Sequence, residues 1–166
     1  AKYHFIGQEY LGGRSLDDMT LPEKVAASVR SKADVVASDE REGGRRAILN
    51  YGHTLAHALE TAAGYDLRHG EAVAVGLVYA AEVANLLGRI DRHRVDEHRA
   101  VVAGYGLSTT LPTDADHEYL IDLFSRDKKA LDGVTFVLDG ADGVEVVPVD
   151  DRSVLAAALE AMGTTP

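Results

Sequence analysis

The sequence predicts a mainly α-helical bundle with one small antiparallel β-hairpin, and three observations carry that prediction. Apolar residues recur at spacings of three and four as far as about residue 125. Near Gly133 the period changes, and Val134 to Leu138 and Val144 to Val149 form two β-rich runs around the turn Asp139-Gly140-Ala141-Asp142-Gly143. No strand runs through a glycine-rich turn into a helix, so the sequence shows no phosphate cradle of the dinucleotide-binding kind.

Taken in order, Lys2 to Tyr10 reads as the end of a helix broken at Gly12-Gly13. Thr20-Leu21-Pro22-Glu23 is a capping box with an early proline, and it opens a helix to about Ala37. Ser38 to Gly44 is a charged loop ending in glycine. A helix is expected from about Arg45 to Ala63, ending at Gly64, and another from Gly70 to Leu87, ending at Gly88. The second is almost wholly apolar, which predicts a central position. Further helices are expected at about 92–103 and 115–125, and a last one from Asp151 to Met162 closes the chain.

The 166 residues suffice for one domain with a real core. A net charge of −10 argues against nucleic acid or an anionic membrane as partner. No apolar run reaches the length of a membrane span and no signal-peptide layout is present. Cysteine is absent, which fits a cytoplasmic location. The chain opens with Ala1 and Lys2 inside an apparent helix, without an initiating methionine, so the expectation is a piece of a larger enzyme.

Leu49-Asn50-Tyr51-Gly52-His53-Thr54-Leu55-Ala56-His57-Ala58-Leu59-Glu60, followed by His69-Gly70-Glu71, carries the chemistry. His53 and His57 lie one helical turn apart and share a face, and Glu60 follows three residues later. Imidazoles are the commonest divalent-metal ligands near neutral pH, and His69, just before the apolar helix, could close a site by helix packing. Spacing alone leaves open whether His53 and His57 chelate together. Gly52 costs roughly 1 kcal/mol against alanine inside a helix, so it points to close approach by a ligand or another backbone.

Lys32-Ala33-Asp34-Val35-Val36, Asp39-Glu40-Arg41-Glu42-Gly43-Gly44, the Asn50-Tyr51-Gly52-His53 run, His57-Ala58-Leu59-Glu60, His69-Gly70-Glu71-Ala72-Val73 and Asp127-Lys128-Lys129 occur in that order. Together they resemble the C-terminal domain of 3-dehydroquinate synthase over nearly the whole chain. The resemblance implies a two-domain enzyme, with an N-terminal NAD domain followed by this helical domain, 1–166, holding most metal and substrate contacts. It implies Zn²⁺ or Co²⁺ bound by His53, His69 and a glutamate two residues before Ala1, with Lys2 as the lysine of an E-x-x-K motif. His57 then has a catalytic role at the substrate phosphate, assisting proton transfer, instead of chelating.

The resemblance further implies substrate contacts from Lys2, Lys32, Arg46, Asn50, Lys128 and Glu42, with Lys129 the fallback if the register slips by one. An acidic chain needs such local positive charge to bind a phosphorylated, carboxylated sugar acid. Arg46 is the best single anion contact, because a guanidinium can grip a carboxylate or phosphate bidentately. The implied reaction converts 3-deoxy-D-arabino-heptulosonate 7-phosphate to 3-dehydroquinate and phosphate, in the shikimate pathway, with NAD-dependent oxidation and re-reduction around the elimination. A homodimer is expected of the full-length enzyme, and this chain alone is expected to be inactive. The rival readings are another sugar-phosphate cyclase and a metal-dependent polyol dehydrogenase of the glycerol type. The latter takes uncharged alcohols and needs no Lys32, Arg46 and Lys128 set.

Overall fold

A computed structural model describes residues 1–6, 11, 15–38, 45–62, 67–126 and 134–164. The helices are α1 (Tyr3–Ile6), α2 (Leu21–Ser38), α3 (His53–Thr61), α4 (His69–Leu86), α5 (Arg92–Gly104), α6 (His117–Arg126) and α7 (Arg152–Met162), with 3₁₀ turns at Leu16–Asp18 and Arg45–Asn50. Strands β1 (Val134–Leu138) and β2 (Glu145–Val149) pair antiparallel, from Val134 opposite Val149 to Leu138 opposite Glu145. Among the described residues the chain therefore forms the helical bundle with one hairpin.

Local chemistry explains where the helices begin. The Thr20 backbone N–H and hydroxyl both donate to Glu23 Oε2 at 2.8 Å, which is the capping-box acceptor reaching back to its N-cap. Asp91 caps α5 by accepting from Arg94 N at 2.9 Å, and Asp151 caps α7 by accepting from Ser153 N at 2.9 Å. At α4, Glu71 Oε2 accepts from the Arg68 N–H at 2.9 Å. Glu71 in the His-Gly-Glu motif thus has a structural duty at the helix start.

Helix α4 is the axis of the fold. Every residue from Ala72 to Ala84 is buried, and α3, α5, α7 and β1 pack around it. Tyr79, Phe124 and Phe136 join α4, α6 and β1 with ring centroids 5.7 to 6.1 Å apart. A smaller cluster of Leu11, Leu16, Met19 and Ala27 lies under α2.

One expectation is corrected. The continuous helix expected from Arg45 to Ala63 is a 3₁₀ turn followed, after Tyr51-Gly52, by the shorter α3. Gly52 has φ +80°, a left-handed conformation that stops one helical segment and re-aims the chain into the next. A Cβ at Gly52 would lie 2.9 Å from Leu77 N and Val73 O, and one at Gly76 would lie 1.9 Å from Gly52 O. The close approach expected at Gly52 is made by the α4 backbone. Among the described residues, no helix is long and apolar enough to cross a membrane.

Candidate active site

The Gly52–Gly76 crossing brings the start of α3 beside the first turns of α4, and so gathers the three histidines. The His53 ring centroid lies 5.7 Å from that of His57 and 5.4 Å from that of His69, both in edge-on geometry. Because His53 opens α3, His57 stands one turn along the same face, as their spacing requires.

Hydrogen bonds fix two of these rings. His53 Nδ1 lies 3.1 Å from Tyr51 O, a carbonyl that can only accept, so Nδ1 carries the proton. His69 Nδ1 lies 2.9 Å from Glu60 Oε1, where a carboxylate again holds the proton on Nδ1. In both residues this leaves Nε2 as the atom for a metal, with the carbonyl or carboxylate behind the ring that metal-bound histidines ordinarily have. Burial, then Lys2 and the two neighbouring histidines, push His53 below its ordinary imidazole value, outweighing the Tyr51 carbonyl, and so favour the neutral form a metal needs.

Among the described residues, no three His, Cys, Asp or Glu side chains are arranged to hold a metal ion. Two imidazoles anchored through Nδ1 would fit one side of a zinc- or cobalt-type site, and a third protein ligand would have to come from elsewhere.

A cleft of about 760 Å³ opens beside the histidines, lined among others by Asn50, His53, His57, Glu60, Tyr119 and Thr135. Its size suits a small polar metabolite. Lys2 donates from Nζ to Leu49 O at 2.8 Å, and burial, helped by the nearby charge of Lys32, lowers its ammonium to about 8. Lys2 therefore sits close enough to both Lys32 and His53 to feel and exert charge. Arg46 lies half-buried in the 3₁₀ turn that leads to Asn50. Of the residues expected at the site, His53, His57, His69 and Asn50 are brought together, and Lys2 and Lys32 are electrostatic neighbours. Glu42, Lys128 and Lys129 lie outside the described residues.

Sequence reasoning missed the roles of Glu60 and Tyr51. The signal for Glu60 was present, since it shares the face of His53 and His57. Tyr51 acts through its carbonyl, which no residue type announces.

Residues 4–130 match the family model described as 3-dehydroquinate synthase C-terminal. The chain belongs to that family. It is 52% identical over 162 residues to a putative aminodehydroquinate synthase of Amycolatopsis mediterranei (strain S699), covering 98% of this chain and 45% of the relative. It is 47% identical over 144 residues to the 3-dehydroquinate synthase of Nocardia farcinica (strain IFM 10152), covering 86% of this chain and 38% of the relative. The chain thus spans less than half the length of these curated relatives. A solved 2-deoxy-scyllo-inosose synthase, complexed with carbaglucose-6-phosphate, NAD⁺ and Co²⁺, shares the fold with a TM-score of 0.71 and 24% identity, over 88% of this chain and 46% of that one.

Proposed function

We propose that this chain is the metal- and substrate-binding half of a sugar-phosphate cyclase, and specifically of a 3-dehydroquinate synthase acting on 3-deoxy-D-arabino-heptulosonate 7-phosphate. The observation that carries the reading is the pair His53 and His69, each with Nδ1 anchored and Nε2 left for a metal, beside a cleft lined by Asn50 and His57. The polyol-dehydrogenase alternative does not call for the paired cations Lys2 and Lys32 next to that site.

In this reading His53 and His69 hold Zn²⁺ or Co²⁺ together with a glutamate supplied upstream. When bound, the ion acts as a Lewis acid on a substrate oxygen. Lys2, Lys32, Arg46 and Lys128 gather the anionic groups, Asn50 hydrogen-bonds the sugar, and Glu42 borders it. His57 stands within the same cleft to hold or pass a proton at the phosphate end. NAD is assigned to an upstream domain, with residues 1–166 forming the helical one. The α2 line Leu21, Val25 and Val29, exposed by 72, 56 and 62%, is the face assigned to contact with that NAD domain. The complete enzyme is read as a cytoplasmic homodimer and this chain alone as inactive.

The 52% identical relative supports a second reading, in which the product is the amino-bearing counterpart that its name specifies.

The test is a set of variants in the complete two-domain protein, with bound metal measured by elemental analysis and turnover assayed on both candidate substrates. His53→Ala and His69→Ala should each lose the metal, whereas His57→Ala should keep it and lose turnover. Metal loss in the His57 variant would replace this arrangement with chelation by the His53–His57 pair. Turnover of the amino substrate alone would establish the second reading.

A further inference from the structure

Behind the histidine cluster lies a buried polar hub that none of the assigned roles uses. His98 on α5 is fully buried. Its Nδ1 lies 2.8 Å from Arg94 O, an acceptor only, so Nδ1 carries a proton. Burial lowers its basicity, which keeps the ring neutral and leaves Nε2 as an acceptor. Tyr51 Oη lies 2.7 Å from that Nε2, so the phenol donates to His98. The same Tyr51 then offers its backbone carbonyl to His53 Nδ1. The two bonds meet only in the covalent frame of Tyr51, whose phenol is held by His98 and whose backbone carbonyl holds His53.

The other face of His98 reaches a different chain segment. The Phe5 ring stacks on it at 3.7 Å with planes 5° apart, and the Arg94 guanidinium lies 5.2 Å from the Phe5 ring centre. Arg94 is itself held by Asp139 at 2.7 Å and Glu97 at 2.8 Å. Phe5 belongs to α1, which directly follows Lys2, the residue that reaches across to Leu49 O. One imidazole therefore touches both strips of chain that border the site.

We infer that His98 is a positioning residue, which holds the α1 segment and the Tyr51-Gly52-His53 segment in mutual register so that His53 meets the metal at a fixed angle. The inference rests on the metal-site reading proposed above. Its reach is indirect, since His98 touches neither metal nor substrate. Outer partners of metal-bound histidines are worth about 10–100-fold in metal affinity.

The experiment uses the complete two-domain protein, loaded with Co²⁺ as probe. Co²⁺ affinity is read by chelator competition, site geometry by the visible absorption spectrum, and fold stability by thermal unfolding of the metal-free form. Tyr51→Phe removes one hydroxyl and preserves the ring, so it keeps the test open even if a His98 variant folds poorly. It should weaken Co²⁺ binding about tenfold and alter the spectrum. His98→Phe should do at least as much. The double variant replaces both hydrogen-bond partners with apolar rings, so its thermal midpoint should recover while its Co²⁺ spectrum stays altered. Recovery of both together, or single variants that lose stability but keep wild-type affinity and spectrum, would reduce His98 to a packing residue and overturn the inference. Failure of the wild-type protein to bind Co²⁺ would instead remove the metal site itself, and the inference with it.

Discussion

Helix α4 carries His69 at its first residue and Glu82 near its last turn, and the two are treated in opposite ways. Near its C-terminal end Glu82 is 1% exposed, and both carboxylate oxygens are taken, Oε2 by Arg92 and Oε1 by Arg99, each at 2.7 Å. At its first residue His69 is exposed, and among the described residues its ring is hydrogen-bonded through Nδ1 to Glu60. A buried carboxylate with each oxygen held by a guanidinium group is occupied within the fold. A ring oriented through one nitrogen, beside a cleft, is a donor kept in reserve. The difference between saturation and reserve separates structural polarity from functional polarity in this molecule.

The largest effect expected comes from the joint that connects these regions. Gly76→Ala would place a Cβ 1.9 Å from Gly52 O, so α3 must move away from α4. Urea unfolding should show a loss on the order of 3 kcal/mol, accompanied by loss of metal binding in the complete protein. A well-folded variant with intact metal binding would show that the histidines do not depend on the crossing.

Glu82→Gln should cost about 2 kcal/mol, less than a fully buried pair loses, because Arg92 still reaches water. Metal affinity should stay within a factor of two or so of wild type, roughly 0.4 kcal/mol by the usual logarithmic conversion. A matching loss of metal would erase the distinction between the two ends of α4.

The smallest effect concerns Lys2, whose ammonium is lowered by burial, and by the charge of Lys32, to about 8. Between that value and its ordinary 10.5, the unfolded chain holds a proton that the folded chain has released. Stability therefore rises with pH across this window, and below about 8 the buried charge is a constant penalty. The thermal-midpoint advantage of Lys2→Met over wild type should shrink as pH is raised from 8 to 10.5. A difference independent of pH would mean that Lys2 titrates as an ordinary lysine.

The same contrast explains what the sequence made legible. The helices, the hairpin and the central place of α4 follow from periodicity and caps, which are local signals. The His53–His57 face and the meaning of Gly52 as a close-approach residue were readable for the same reason. The break between the 3₁₀ turn and α3 was not, because three- and four-residue apolar spacing serves both geometries. Glu82 is hidden inside an apolar run, and its neutralisation depends on Arg92 and Arg99, ten and seventeen residues away. The side-chain partner of His98 is farther still: Tyr51 lies 47 residues upstream, and nothing in either residue's neighbourhood announces the bond. The family resemblance supplied what spacing could not, namely separate roles for His53 and His57.

The contact between Gly52 and Gly76 has a mechanical consequence. Where side chains separate two helices, their distance is an average over rotamers that shift with temperature and with every core substitution. Here main chain rests on main chain, so the gap is a hard stop set by van der Waals contact between backbone atoms. The base on which His53 and His69 stand has the tolerance of a machined face, and heating should loosen the rest of the bundle before it widens that gap.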